Sequence, residues 1–357
     1  MLIITILVAI FSLIGLIIIH EFGHFVLAKK FGTKVEEFGI GYPPRIVGKK
    51  IGETIYSLNL LPFGAFVRIH GEEGGVENYR SFVGKPIWQR VSIVLGGVVS
   101  FWIISIVLLS IVAGVWGLPV AVEDDDNHNL IEPKVQIAYI IPGSPAAKAD
   151  LRAGDVIVGF DKVRDVQEFV QANLGQETDM TIKRGQDLFS KQVILRTSFP
   201  EDEGPLGVGL TRTALRPYTW YQAPVQGVIT CGKLTYNIVD GWVLGVKNLL
   251  GIVQLPKGLK MEMMGPIGIL DLLRQYSKLG INYFLFLISL ISIALALANI
   301  LPIPALDGGK LVFLVIESIK GKPINYKLEQ KITATFFVLL IILMIFVTIK
   351  FDIPRIF

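Results

Sequence analysis

The sequence predicts a polytopic α-helical membrane protein: about four transmembrane helices, a small membrane-associated β-sheet and one inserted α/β domain. Three observations carry this reading. The composition is 52% hydrophobic and only 18% charged, with a mean hydropathy of +0.58, values that suit several spans joined to a soluble part. Four apolar runs are long enough to cross a bilayer, and the segment between the second and third has ordinary soluble composition. The net charge of +4 comes without a basic run or base-stacking motif, so nucleic acid is not an expected partner. A single cysteine, Cys231, excludes an intramolecular disulfide and a thiolate metal cluster and is expected to be a packing residue.

The first run, about Leu2 to Leu27, has no basic residues before it and no small-residue cleavage site, so an uncleaved span is expected rather than a signal peptide. The next segment, 35–71, reads as short β-prone pieces broken by Gly and Pro. Strands are expected at Ile55–Leu60 and Ala65–Ile69, joined by a turn at Pro62–Gly64. Such a sheet is too small to stand alone and is expected to lean on the membrane or on neighbouring spans. The second span, roughly Ile87 to Leu118, has Trp88 and Trp116 near its ends as interface anchors. The acidic run 123–126 reads as a solvated linker. Residues 135–195 read strand, short helix, strand, helix, strand, strand, with the clearest strands at 156–160 and 181–184 and the clearest helix at 166–173. Pro217 to Leu255 carries Asn237, Asp240, Lys247 and Asn248, which favours helices lying on the membrane face over a fifth span, the open alternative. The third and fourth spans follow at about Ile281–Ile303 and Thr333–Ile349.

Ten Lys/Arg between Lys29 and Arg90, and four between Lys320 and Lys331, place those two loops in the cytoplasm by the positive-inside rule. The α/β domain and both chain ends then lie outside.

His20-Glu21-Phe22-Gly23-His24, inside the first span, is an H-E-x-x-H pattern. At i and i+4 two imidazoles share one helix face and can bind one zinc ion, while the glutamate can activate a water. The competing reading, two unrelated histidines on a packed helix, is weakened by the expense of ionisable groups within a span. A zinc hydrolase needs a third protein ligand and an open position. His70 and His128 fall outside the spans, so besides Glu21 the clearest ligand is Asp307 in NILPIPALDGGK, residues 299–310. That segment is broken by Pro302, Pro304, Gly308 and Gly309; irregular backbone at membrane depth needs a cavity or protein to satisfy it. A solvated polar turn just outside the membrane is the alternative. Both motifs lie toward the cytoplasmic ends of parallel spans, so they can meet at one depth.

With HEFGH in the first span and NILPIPALDGG after the third, the chain resembles the site-2 protease family, closest to the bacterial regulator of sigma-E protease group. The likeness extends through GIGYPPRI and LNLLPFGAFVRIHGEE, SFVGKPIWQR, GSPAAKADLRAGDVI and MGPIGI. It implies an intramembrane zinc metalloprotease with zinc on His20, His24 and Asp307 and Glu21 as general base. Asn299 and Pro302 match the family's N-x-x-P-x-x-x-L-D-G motif, Asn299 as a residue that holds the substrate backbone. The inserted domain would be a single PDZ-like domain outside the cell, and the first-loop sheet would offer an edge to an extended substrate strand. The implied setting is the cell inner (cytoplasmic) membrane. The implied partners are transmembrane protein substrates, anti-sigma factors or signal-peptide remnants, together with the lipid bilayer. The implied division is span one with HExxH (1–30), cytoplasmic sheet (31–86), span two (87–122), PDZ-like domain (123–212), interfacial helices (213–280), span three with the LDG motif (281–310), cytoplasmic loop (311–330) and span four (331–357). Where the family shows G-P-x-x-N, this chain has Gly96-Gly97-Val98-Val99-Ser100, which removes that Pro and Asn. A membrane-anchored PDZ scaffold with a non-catalytic zinc site is the alternative function, opposed by the presence of Glu21. A metal transporter is opposed by the scarcity of polar residues in the second and fourth spans.

Overall fold

The computed structural model describes residues 2–72, 74, 78–126, 129–200, 203–255, 263–322 and 324–356; His128 lies outside them. Among the described residues, four helices are long and apolar enough to cross a membrane: Thr5–Lys30 within α1 (Leu2–Lys30), α2 (Ile87–Val115), α7 (Ile281–Ile300) and Tyr326–Asp352, which joins α9 (Tyr326–Val347) to a π-helical turn. The central helix is α2. One side of it meets α1, where Gly23 and Gly96 touch so closely that a Cβ on Gly23 would stand 2.2 Å from the Gly96 carbonyl oxygen. The other side meets α7 through buried serines: Ser105 Oγ donates to Ser289 O (3.0 Å) and Ser292 Oγ to Phe101 O (2.8 Å). Small residues and interhelical hydroxyl bonds are the adhesives available where lipid removes the hydrophobic drive. Ala9, Leu16, Val98, Phe101, Leu287 and Ile288 fill the space between the three helices.

By contrast α9 turns most of its side chains outward. It is tied at its end by Asp352, fully buried, which accepts the Gly265 N–H at 2.9 Å. Gly265 and Gly268 leave room for that carboxylate; a Cβ on either would lie within 2.6 Å of it.

The expected hairpin turn at Pro62–Gly64 is not a turn. A single strand, β2 (Thr54–Ile69), runs through it and pairs with a strand one residue longer, β1 (Val35–Ile51). Both strands bend on themselves. Residues 37–40 face 65–68 on one side and 55–58 on the other, while 47–51 lie against 54–58. The result has four lanes, in the order 65–69, 35–40, 54–59, 45–51, with 65–69 at one edge. Pro and Gly, read as breakers, here sit at the bend, where a ladder can spare them.

The inserted domain is a six-stranded sheet in the order β3-β8-β4-β5-β6-β7, with antiparallel neighbours throughout. The expected alternation over 135–195 is present as β4 (Ile131–Ile140), α3 (Pro145–Lys148), β5 (Val156–Ile157), α4 (Val163–Ala172), β6 (Glu177–Arg184) and β7 (Asp187–Ile194). Two strands lie outside that stretch, β3 (Leu118–Val122) and β8 (Val208–Arg216). They pair from Leu118↔Arg216, so the sheet starts and ends nearer the spans than residues 123 and 212. The core is Val135, Ile137, Ile157, Val166, Ile182 and Val193 with their neighbours.

The acidic run is not a solvated linker. Asp124 accepts the N–H groups of Val163 (2.9 Å) and Arg164 (2.8 Å) at the start of α4, which has no cap from its own Lys162. Buried Arg212 donates to the carbonyls of Glu123 and Asp161, and Asp126 pairs with Arg216. Helix N-terminal N–H groups are orphans that a carboxylate satisfies well, which the reading of the run as mere charge overlooked.

The expectation of interfacial helices over 213–280 is corrected for α5 (Ala223–Leu249). Gly227 abuts Ser110 and Ile106, Gly114 faces Ala223, and Trp102 Nε1 donates to Thr235 Oγ1 at 3.2 Å. The first half of α5 therefore runs antiparallel along the domain-bearing half of α2, over about 18 Å at 1.5 Å per residue. Ala223, Gly227 and Cys231 are its buried face, which is the packing role expected of the cysteine. The polar residues Asn237 and Asp240 lie beyond this contact. The following helix, α6 (Pro266–Leu279), packs Leu273 between α1 and α7. The third span stops at Ile300, and Asp307 begins a separate helix, α8 (Asp307–Lys320), inside what was read as span and loop.

Candidate metal centre

One turn of α1 brings His20 and His24 to a single face, buried against α2. Their Nε2 atoms are 3.2 Å apart, and Asp307 Oδ2 stands 3.4 Å from each. Zinc–nitrogen and zinc–oxygen bonds of about 2.0–2.2 Å at tetrahedral angles put neighbouring ligand atoms about 3.3–3.6 Å apart. The triangle of 3.2, 3.4 and 3.4 Å fits that requirement. Asp307 Oδ2 is also buried with no hydrogen-bond partner among the described residues. A carboxylate oxygen left so is costly unless it has a ligand. Three such side chains could hold one ion and would leave one tetrahedral position open.

Each of the three side chains is held by its surroundings. His24 Nδ1 lies 2.9 Å from the Ile93 carbonyl, so that nitrogen carries the hydrogen and Nε2 is left free to ligate. The His20 ring stacks on Phe101 at 4.8 Å and meets His24 edge-on at 4.7 Å. Gly97 passes beneath both: a Cβ there would lie 2.2 Å from His24 Nε2 and 2.7 Å from His20 Cε1. As the two imidazoles stand in this chain, Gly97 has no room for a Cβ, and Ser100 Oγ donates to Gly97 O at 2.6 Å. Asp307 is aimed inward by the fold-back of 301–306 onto the start of α8. Gly308 and Gly309 pack against the carbonyls of Ile300, Leu301 and Ile303 too tightly for any Cβ.

Glu21 lies beside the triangle, and one of its oxygens, Oε2, accepts the Val67 N–H at 3.1 Å. That N–H points outward from the 65–69 edge, so the carboxylate is docked on the strand's open side. Asn299 and Pro302 do not join the cluster; Asn299 Nδ2 donates to Leu295 O of its own helix at 2.9 Å, and Pro302 sits in the break after α7. His70 is engaged elsewhere, with Glu36 (2.7 Å) and Asn78.

A charged layer ties the surrounding pieces together. Lys310, three residues past Asp307, pairs with Glu72, and Arg90 with Glu317 at 2.6 Å; both cations also lie over the Phe82 ring. At the tip of the sheet, Lys29 and Arg80 flank Glu53 and hold its carboxyl below the usual range. Sequence reasoning missed Gly97, the Ile93 carbonyl and the Val67 N–H. Only the glycine leaves a trace in the sequence, and no spacing rule links it to α1.

A family model described as Peptidase family M50 matches residues 8–343. The chain belongs to this family, the site-2 proteases. Proteins named as zinc metalloproteases in Clostridium perfringens and Clostridium acetobutylicum are 31% and 30% identical, with at least 96% of each chain aligned. The regulator of sigma-W protease RasP of Bacillus subtilis is 28% identical over 96% of both chains. The protein is accordingly a zinc metalloprotease of the membrane, with zinc as cofactor, and the residues that converge fit that ion.

Proposed function

We propose that His20, His24 and Asp307 hold the zinc, that Glu21 is the general base, and that the enzyme hydrolyses peptide bonds in transmembrane segments of single-span proteins or signal-peptide remnants. The observation that carries this reading is the ligand triangle with tetrahedral edges beside a carboxylate docked on a strand edge. Zinc bound there supplies a Lewis acid that polarises the scissile carbonyl and lowers the pKa of water toward neutrality. Glu21 takes the proton of the attacking water and delivers it to the leaving amine. Water thus adds across the C–N bond, giving a new carboxyl and a new amino terminus.

A helical peptide bond is shielded, so the substrate must unwind, and the 65–69 edge, where no further strand pairs among the described residues and Glu21 holds the Val67 N–H, offers it a partner strand. The inserted domain is proposed to be PDZ-like and to lie outside the cell, where it binds a newly exposed C-terminus or limits substrate size. The Lys/Arg-rich loops set the metal centre toward the cytoplasmic side. Anti-sigma-type regulators are the proposed substrates, in keeping with the name of the Bacillus subtilis relative, regulator of sigma-W protease RasP.

The test is cleavage of a tagged single-span reporter by the purified full-length enzyme. Glu21→Gln is expected to retain zinc and to lose cleavage by at least about a thousandfold, the upper part of the range for general-base catalysis. Equal cleavage by the variant would remove Glu21 from the mechanism.

A further inference from the structure

The outer lane of the sheet carries a loosely held, half-exposed cation, Arg68, paired with Glu37 Oε2 at 3.6 Å without a hydrogen bond. Arg68 lies directly across from Glu37 on the face opposite Val67 and Phe38. Glu37 is buried and already engaged: its Oε1 accepts from Ser57 Oγ at 2.6 Å and pairs with Arg45 Nη2 at 2.7 Å. The nearest approach of Arg68 to it is 3.6 Å, beyond hydrogen-bond range, and the Arg68 side chain is 52% exposed. One carboxylate therefore faces two guanidinium groups, and the second makes no hydrogen bond among the described residues. Its remaining contact is the Phe66 ring, 5.9 Å away.

Alternation along a strand gives this cation a specific place. The Val67 N–H is the edge donor that meets Glu21. A strand added to the edge puts one residue opposite Val67, beside the general base. Its chain neighbour, opposite Arg68, points to the other face. Directly opposed residues on a sheet face interact strongly enough to select charge, and a guanidinium presents a fork of donors that matches a carboxylate.

We infer that Arg68 is a specificity-determining residue: it forms a subsite selecting an acidic or amide-bearing side chain in the substrate, one position from the residue aligned with Val67. This deepens the edge-pairing reading above and rests on it. The cleaved segment would be apolar on the face toward α1 and would carry a hydrogen-bond acceptor on the other, a pattern that also weakens its helix within the bilayer.

The experiment uses full-length enzyme and a single-span reporter with Glu, Gln, Leu or Lys placed in turn at each residue flanking the cut. The enzymes are wild type, Arg68→Gln and Arg68→Glu, all with zinc content measured. Wild type is expected to favour Glu over Lys by about tenfold in kcat/KM at one flanking position, the scale of a charge-assisted pair. Arg68→Gln should flatten the preference, and Arg68→Glu should invert it at that same position. Equal Glu/Lys ratios in all three enzymes would overturn the inference. So would loss of every cleavage in Arg68→Glu with zinc retained, which would make the guanidinium a prop of the sheet. If wild type cleaves no reporter, or Glu21→Gln cleaves as well as wild type, the protease reading itself fails, an outcome distinct from cleavage without charge preference.

Discussion

Gly97→Ala adds one methyl group where the two histidines cross α2. The new Cβ would stand 2.2 Å from His24 Nε2, whereas ordinary contact begins near 3.4 Å, so the imidazole must retreat by at least 1.2 Å (3.4 − 2.2). Separating the helices would break the close packing of Gly23 on Gly96, the residues next to His24 and Gly97. Zinc sites tolerate ligand displacements of roughly 0.2 Å, so the shift is about six times what the centre accepts. Loss of a supporting contact alone costs about 10–100-fold in metal affinity; moving the ligand atom itself should cost at least about 100-fold, with a parallel fall in kcat/KM. The assay is zinc competition against a chelator of known affinity, with cleavage of a single-span reporter beside it. Gly232→Ala, on α5 with no atom within 4 Å of its would-be Cβ, is the control. If Gly97→Ala binds zinc as tightly as the control and cleaves normally, His20 and His24 do not share an ion over this glycine.

Gly227→Ala would put a Cβ 2.1 Å from Ser110 Oγ and force α5 from α2; thermal unfolding in detergent should report a loss of about 1–3 kcal/mol, the range for overpacking. Asp124→Ala should cost about 1 kcal/mol through the lost cap, and hydrogen exchange at Val163 and Arg164 should rise. Burial pushes the Asp124 carboxyl up, but the Arg164 and Val163 N–H groups and the Arg212 charge outweigh it, so the folded value lies below 3.8. The cap is therefore fully present above the ordinary carboxylate range and fades as pH falls through the folded value, so protection of those amides, relative to the unfolded rate at the same pH, should fall only on acidification below about pH 4. Asp352→Ala frees the Gly265 N–H and should raise exchange across 263–270, while a site elsewhere in α6, such as Gln275→Ala, should leave it unchanged.

Much of this was legible from the residues because membrane solvation is severe. Apolar length located the four spans, and the expense of His20, Glu21 and His24 within one of them pointed to chemistry. Asp307 was legible because irregular backbone after a span needs a reason. The rest depends on tertiary packing. The bends at 42–45 and 60–64 make two strands into four lanes, and no local periodicity distinguishes such a bend from a turn. The place of α5 along α2 is decided by Ala223, Gly227 and Cys231, whose small size is silent in hydropathy, whereas Asn237 and Asp240 speak loudly and misdirect. Asp124 read as charge because its partners, two backbone N–H groups about forty residues away, carry no side-chain signal.

In the proposed site one zinc ion is held by His20, His24 and Asp307. Zinc K-edge X-ray absorption on the full-length protein tests it most directly, with Asp307→Asn measured alongside. Wild type should show one zinc per chain with two imidazole nitrogens and carboxylate oxygen at about 2.0–2.2 Å, and Asp307→Asn should lose most of its zinc and all cleavage. An unchanged zinc spectrum and stoichiometry in Asp307→Asn would contradict the account and return Asp307 to a polar turn.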